Sequence, residues 1–354
     1  MAATWFVCAT WNHFFDNAKT PAWQFILFLM TLAFITVTFI SMSFSNFWLR
    51  LLYRVSAIWL GVLNVSFFAA CLIWLISAAM ATLSFHLNAS HFSAVFFSGA
   101  FMVSLYGILN ASRVRVTQLT VELENLPSGW NGSALALVTD MHLGNFRGTG
   151  FSRRVVAKLN HLHPQAILIS GDLFDGTKGN LNAFVEPWKN INSQTVTYYV
   201  TGNHEEFGDR TKYLETVKRV GIRVLENEMV DDRGLQIIGV HDAEAEDPDH
   251  FRSILQGVGV DRNRASILLA HQPQNLSIVE EAGISLQVSG HTHGGQMWPW
   301  TLLALRVHGR FNHGLNRSGK LLVLTSYGAG TWGAPMRLGT HSEIILIRLV
   351  KTAT

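Results

Sequence analysis

Charge is almost missing from the first third of this chain. Residues 1–112 carry four charged side chains, Asp16, Lys19, Arg50 and Arg54, whereas the remaining 242 residues carry 24 basic and 23 acidic ones. A nearly charge-free third followed by a normally charged remainder marks a membrane region joined to a soluble domain. Cysteine is scarce as well. Cys8 and Cys71 both lie in the apolar third, which excludes a disulfide framework or a thiolate metal site in the remainder. Any metal there must be held by nitrogen and oxygen. The net charge of +3 is too small for a nucleic-acid surface, so no nucleic acid is expected as a partner. No internal repeat or low-complexity tract interrupts the chain.

What the first third does have is length without charge. Three apolar runs, approximately 22–40, 56–80 and 93–111, can each cross a hydrocarbon core of about 30 Å, which takes roughly 20 helical residues. Buried helices of a large soluble domain are the alternative, and three charge-free runs of this length argue against it. Trp23, Phe47, Trp48, Tyr53 and Trp59 sit near the ends of the first two runs, where aromatic belts are expected. Trp5–Phe15 is too short to span and is expected in the membrane interface. Arg50 and Arg54 lie between the first two runs and Arg113 and Arg115 follow the third, while the loop His86–His91 has no Lys or Arg and Lys19 stands alone on the other side. The positive-inside rule then places the soluble domain in the cytoplasm. The expectation is a multi-pass membrane region over 1–112 and a catalytic domain over 113–354.

After Arg115 the pattern changes. Val114 to Leu123 alternates loosely and ends at Pro127-Ser128-Gly129, as an edge strand and turn do. Apolar runs at 134–138, 166–170, 195–200, 222–225, 235–240, 267–270, 286–289, 321–326 and 344–349 read as strands. The stretches 151–162, 181–190, 212–220 and 276–282 read as helices. Interleaved strands and helices argue for an α/β layered domain. Its polar loops fall where ligands bind in such folds, beyond the carboxyl ends of strands. The acidic stretch 239–249 reads as an exposed loop without a metal role.

Five of those loops are chemically loaded: Asp140-Met141-His142, Gly171-Asp172-Leu173-Phe174-Asp175, Gly202-Asn203-His204-Glu205, His271, and Gly290-His291-Thr292-His293. Alternate residues of an extended chain point the same way, so Asp140 with His142, and His291 with His293, can each reach one cation. Asp172 beside Gly171 can approach closely and offer an oxygen to each of two metals. Asn203 adds an amide oxygen and His271 an imidazole. Such a nitrogen and oxygen set suits two divalent ions of the Mn²⁺, Fe or Zn²⁺ kind. Each piece alone is weak, because Asp-x-His arises often by chance; five in fixed order at strand ends form a strong joint signal.

In that order the stretches resemble the calcineurin-like metallophosphoesterase superfamily, whose pattern is Asp-x-His, Gly-Asp-x-x-Asp, Gly-Asn-His-Asp/Glu, His, then Gly-His-x-His. The match covers roughly Ala134 to Ile347. Gly107–Ala111, Ala270-His271-Gln272-Pro273, Ser289–Gln296 and Pro335–Gly339 make the chain most similar to transmembrane proteins with a metallophosphoesterase domain. The resemblance implies a two-sheet β-sandwich flanked by helices, with a dinuclear centre at one edge. It further implies that Asp140, His142, Asp172 and His293 bind one metal and that Asn203, His271 and His291 bind the second, with Asp172 bridging. His204 would face the substrate and protonate or stabilise the leaving oxygen, and Asp175 would hold and polarise His204. Two cations about 3.5–4 Å apart can bind a phosphoryl oxygen and activate a shared water for in-line attack. An imidazole is a natural proton donor at neutral pH.

Some features lie outside that pattern. Gly294-Gly295-Gln296 resembles a subfamily signature and is expected to shape the rim. Met297–Leu303 is an unusually apolar loop, either ordinary core or a membrane-dipping lip that admits a lipid-like substrate. Arg337 is expected either in a structural ion pair or against substrate phosphate. His161, His163, His241, His250, His308, His313 and His341 read as structural. The expected function is hydrolysis of a phosphoester or pyrophosphate at the membrane, with a lipid-linked substrate as the candidate that location suggests. The alternative is a membrane scaffold or sensor with an inactive domain, which the intact ligand set opposes. Transport has little support, because the apolar runs contain no acid or base. Oligomeric state is not legible. The orientation is directly testable: a reporter fused to the C-terminus is expected to show cytoplasmic activity, and periplasmic-type activity would reverse the assignment.

Overall fold

The computed structural model describes residues 1–15, 22–85 and 88–352. Asp16, named in the charge count, and Lys19 and His86, which enter the orientation argument, lie outside the described residues. The chain separates into two compact units, Met1–Ser112 with Trp332–Met336, and Arg113–Thr331 with Arg337–Thr354.

The first unit contains α1 (Ala2–Phe14), α2 (Ala22–Ser43), α3 (Phe47–Thr82) and α4 (Ala89–Ser112). The last three are long and apolar enough to cross a membrane by length and composition. At 1.5 Å per residue the 36 residues of α3 reach about 54 Å, well beyond a hydrocarbon core of about 30 Å. Arg50 and Arg54, which lie between the first two apolar runs, are part of α3. Asn46 starts α3 early by accepting from the Leu49 N–H at 2.9 Å, as a good N-cap does. The short stretch expected in the interface is α1, and it packs on its neighbours. Thr4 Oγ1 meets Thr31 Oγ1 at 2.9 Å, Gln24 Nε2 donates to Asn12 Oδ1 at 2.6 Å, and Trp74 Nε1 donates to Thr10 Oγ1 at 3.0 Å. Such polar pairs hold helices together where surrounding apolar side chains supply no specificity.

The second unit is built from two six-stranded sheets. The first runs in the order β1 (Arg115–Leu123), β12 (Glu343–Lys351), β2 (Ala134–Val138), β3 (Ala166–Ser170), β4 (Val196–Val200), β5 (Arg223–Val224). The second runs β10 (Gly314–Ser318), β11 (Leu321–Thr325), β9 (Leu286–Ser289), β8 (Ser266–Leu269), β7 (Leu235–Gly239), β6 (Glu228–Asp232). Strands β2 to β5 pair in parallel, as do β7, β8, β9 and β11. Their sequences are continuous apolar runs because parallel strands are buried on both faces. Alternation still sorts the side chains. Leu135, Leu137, Leu168, Tyr198 and Val200 face Ile237, Ile267, Leu269, Val288 and Leu324 between the sheets. Ala136, Val138, Ile167 and Ile169 point outward.

Helices cover both outer faces. Phe151, Val155, Val156 and Leu159 of α5 (Thr149–Leu162), with residues of α6 (Leu181–Val185) and α8 (Arg210–Lys218), pack on the first sheet. The second sheet receives Phe251 and Leu255 of α10 (Pro248–Gly257) and Ile278 and Val279 of α11 (Leu276–Glu281). Two short helices, α7 (Asn203–Glu206) and α9 (Asp242–Glu246), occupy loop positions, and α12 (Trp300–His308) follows β9. The two-sheet α/β architecture is thus the one expected. The acidic 239–249 stretch departs from expectation: Asp247 accepts from the N–H groups of Asp249 and His250, starting α10, and Asp242 is buried. An Asp followed by Pro248 is an N-cap signal that its net charge masks.

Glu343, the first residue of β12, is buried and binds the neighbouring segments together. Its carboxylate accepts from Thr117 Oγ1 (2.5 Å), His313 Nε2 (2.9 Å), Tyr327 N (3.0 Å) and Ser326 Oγ (3.2 Å), with His341 Nε2 at 3.4 Å. Burial alone would raise its pKa, but the bonds from His313, His341 and Thr117 outweigh burial and hold it well below the ordinary 4.5. Ionised Glu343 therefore stabilises the fold above that ordinary value, and the contribution is lost as pH falls toward the folded value. Denaturation midpoints of the full chain are expected to drop as pH is lowered below about 4.5. Glu343→Gln should be less stable at neutral pH and show a flatter acid dependence; parallel profiles for the two proteins would contradict this.

Candidate metal centre

Every predicted site residue lies in a segment that follows the carboxyl end of a strand, and the segments come from both sheets. Asp140 and His142 follow β2, Asp172 and Asp175 follow β3, and Asn203 and His204 open α7 after β4. His271 follows β8, and His291 and His293 follow β9. Small residues permit the approach. Gly171 has φ +84°, and a Cβ there would lie 2.4 Å from His271 Nδ1 and 2.8 Å from Gly202 Cα. At Gly290 a Cβ would lie 2.2 Å from Asp140 Oδ2.

The donor atoms form two adjoining groups. In the first, His293 Nε2 lies 3.0 Å from His142 Nε2 and 3.3 Å from Asp140 Oδ1. In the second, Asn203 Oδ1 lies 3.2 Å from His271 Nε2 and 3.0 Å from His291 Nδ1. Asp172 Oδ2 stands between the groups, 3.2 Å from His271 Nε2 and 3.8 Å from His142 Nε2. Ligand atoms of Asp140, His142 and His293 lie within 4.8 Å of one another, as do those of Asp140, Asp172 and His271, and those of His142, Asp172 and His204.

The route to this convergence differs from the extended-chain expectation. Asp140 (φ 52°), His142 (47°), Asp172 (51°), His291 (66°) and His293 (48°) all occupy the left-handed region. Alternate residues of a straight strand do not meet here; tight turns aim each side chain. Asp and His tolerate this region better than most residues, and such strain persists only where the surroundings over-determine it. Those surroundings are visible. Asp140 N donates to Gly171 O (3.1 Å), His142 N to Asp172 O (3.0 Å), Leu143 N to Leu173 O (2.9 Å) and Gly330 N to Asp140 O (2.7 Å).

Two holders were not assigned from the sequence. Glu205, fully buried, accepts from Gly202 N (2.7 Å), Phe174 N (2.8 Å) and Asp172 N (3.0 Å), joining the loops after β3 and β4. The signal was present: an acid three residues after the N-cap Gly202 completes a capping box. Arg337 was expected in an ion pair or on substrate. It is fully buried and donates to Tyr327 O (2.6 Å), Gly330 O (2.7 Å) and His293 O (2.9 Å), with Nη2 3.1 Å from His293 Nδ1. It faces carbonyls inside the fold, where no substrate phosphate can reach it.

Electrostatics decide whether cations fit. Burial, and then Arg337, holds His293 well below its ordinary pKa, and burial with His271 lowers His291 to about 3. Both imidazoles are neutral and can offer lone pairs. His271 Nδ1 faces Ser170 O at 2.9 Å, which fixes its Nε2 toward Asp172 and Asn203. Although burial lowers the His271 pKa, Asp172, Asp140 and Asp242 overcome it and push the pKa far up. A pocket that draws a proton onto a buried imidazole has excess negative potential, and a cation answers the same need. The donor set therefore fits two divalent ions bound through nitrogen and oxygen. Of the remaining pair, His204 Nδ1 lies 3.2 Å from the backbone carbonyl of Asp175. The Asp175 carboxylate also lies 3.6 Å from His142 Nδ1, and burial raises its pKa to about 7 while the charge of His204 acts against that rise. Of the donor residues, Asn203, His291 and His293 are partly exposed and form the mouth.

Comparison with known proteins bears on the same stretch. The family model of the calcineurin-like phosphoesterases matches residues 134–295. A Danio rerio transmembrane protein with a metallophosphoesterase domain is 33% identical over 265 residues, covering 70% of this chain and 60% of that protein. A Helicobacter pylori metallophosphoesterase is 35% identical over 220 residues, covering 61% and 59%. An Aquifex aeolicus metallophosphoesterase is 30% identical over 258 residues, covering 71% of this chain and 97% of that protein. The chain thus spans about 60% of the length of the first two relatives.

The Arg337 cradle yields a stability prediction. Arg337→Ala leaves several buried carbonyls without their donor and is expected to cost ~3 kcal/mol or more. Arg337→Lys, a compact charge without the planar fork, should recover only part. Thermal denaturation of the full chain checks both, and a wild-type midpoint for the alanine variant would refute the role.

Proposed function

The chain belongs to the calcineurin-like phosphoesterase family, and we propose that it is a membrane-anchored hydrolase using two divalent metal ions to cleave a phosphoester or pyrophosphate bond. The observation that carries this is the position of Asp172 Oδ2 between two donor groups, within 3.8 Å of an imidazole of each. Asp140, His142, His293 and Asp172 would hold one ion, and Asp172, Asn203, His271 and His291 the other. The ions, of the Mn, Fe or Zn kind, would polarise a phosphoryl oxygen and lower the pKa of a water for in-line attack.

The chain's own residues do the rest. Asp140 and Asp172 supply the anionic charge that limits repulsion between neighbouring cations. Asp172 Oδ1 also accepts from the His204 N–H at 2.9 Å, so the loop carrying the proton donor is tied to the same carboxylate. The Asp175 carbonyl facing His204 Nδ1 fixes the tautomer and leaves Nε2 as the atom that exchanges a proton. Burial lowers the His204 pKa; an anionic phosphoryl group beside it raises that pKa again, so the imidazole becomes charged when substrate enters. It then passes the Nε2 proton to the departing oxygen. The partly exposed mouth at Asn203, His291 and His293 admits the substrate, which we take to be lipid-linked because three helices suited to crossing a membrane precede the domain.

The full chain in detergent is expected to hydrolyse a chromogenic phosphodiester in a metal-dependent manner. His204→Ala should lower kcat about 10²–10⁴-fold while metal analysis shows the wild-type content. Asp172→Asn should lose both metal and activity. Undiminished hydrolysis after exhaustive chelation, or a folded protein inactive with every metal supplied, would remove this reading in favour of an inactive scaffold.

A further inference from the structure

Helix α12 is turned inside out. In a surface helix of a globular domain, apolar residues face the core and polar ones face water. In α12 no residue is fully buried, and Trp300, Leu302, Leu303, Leu305 and Val307 stand 49%, 60%, 54%, 53% and 67% exposed. The side turned inward carries Thr301, Ala304 and His308, which are half-buried. Trp298, just before the helix, is exposed as well. The sequence left open whether Met297–Leu303 is core or lip; Met297 is buried, whereas Trp298, Trp300, Leu302 and Leu303 are exposed and do not belong to the core. A contiguous apolar surface of this kind marks an interaction site.

Charge indicates what covers it. From Ala282 to Ser342, 61 residues contain five basic side chains and no acidic one. Two of these, Arg306 and Arg310, lie on and just after α12 and are exposed. Tryptophans at one end, an aliphatic middle and arginines toward the other make the composition of a helix lying in a membrane interface. Arginines near an anionic surface are drawn to it. Chain connectivity keeps a bilayer close: α4 ends at Ser112 and β1 begins at Arg115, a link of about 10 Å when fully extended.

We propose that α12, with Trp298, is an interfacial anchor that seats in an anionic lipid surface. Its inner face borders the candidate metal centre, with the His308 ring 6.2 Å from that of His291, and a Cβ at Gly295 would lie 2.3 Å from Trp300 O. Seating α12 brings the mouth of the site to the headgroup plane, where the phosphate of a lipid can enter without leaving the bilayer. The anchoring is independent of hydrolysis; only the choice of a lipid phosphoester rests on the proposed function.

The test uses the full chain with Cys8→Ser and Cys71→Ser, reconstituted into phosphatidylcholine vesicles with and without phosphatidylglycerol. A fluorophore is placed by Leu303→Cys, by Val307→Cys as a second position, or by Glu215→Cys on α8 as the control. Lipid-borne nitroxide is expected to quench the labels at 303 and 307 severalfold more than the label at 215. The effect should grow with phosphatidylglycerol and shrink on adding Arg306→Glu with Arg310→Glu. Labels quenched only by a water-soluble agent, or shielded from both quenchers as a protein partner or second copy would shield them, overturn the proposal. Because the readout needs no turnover, an inactive but lipid-quenched protein defeats the hydrolase reading alone.

Discussion

Asp140 and Asp172 are carboxylates fully removed from water at the rim of an apolar sandwich. An isolated charge in such a place costs many kcal/mol unless positive charge or hydrogen-bond donors come to it. The organisation of the second unit follows from meeting that demand. Strand ends of both sheets deliver imidazoles to the two acids, glycines let the loops close to contact distance, and Glu205 ties two loops by their N–H groups. Arg337 ties the segments after β9 and β11 by donating to the carbonyls of His293, Tyr327 and Gly330. Five left-handed residues are tolerable because so many bonds fix them at once.

Much of this was legible in the sequence because burial on both faces writes parallel strands as uninterrupted apolar runs. The loops after Val138, Ser170, Val200, Leu269 and Ser289 stand out against those runs, so Asp140, Asp172, Asn203, His271 and His291 are marked by their joint order at strand ends, and the resemblance supplies their roles. What was not legible was direction. Period-two reasoning assumes an extended backbone, and it fails at Asp140 and His291 because those residues turn. Spacing likewise does not say which atom of Asp175 meets His204 Nδ1, and it is the backbone carbonyl. Arg337 was misread because a lone basic residue invites a charged partner, whereas a buried guanidinium can satisfy itself on several carbonyls. The helix starting at Pro248 was hidden by five neighbouring acids that suggested solvent.

The apolar third shows the same balance. Composition located α2, α3 and α4, but length alone could not place the start of α3, because an N-cap, not a loss of hydrophobicity, sets it. Thr4, Thr10 and Asn12 of α1 are its points of attachment to α2 and α3. A segment too short to span can therefore belong to the helical unit through a few polar contacts.

The order of the first sheet has a consequence for biosynthesis. Strand β12 lies between β1 and β2, parallel to one and antiparallel to the other. While the ribosome is translating the intervening two hundred or so residues, β1 and β2 each present an unpaired edge beside a membrane. Pairing closes only when β12 emerges and inserts between them. Unpaired edges invite association with other chains. Premature termination anywhere before Glu343 therefore leaves two open edges instead of one shortened strand.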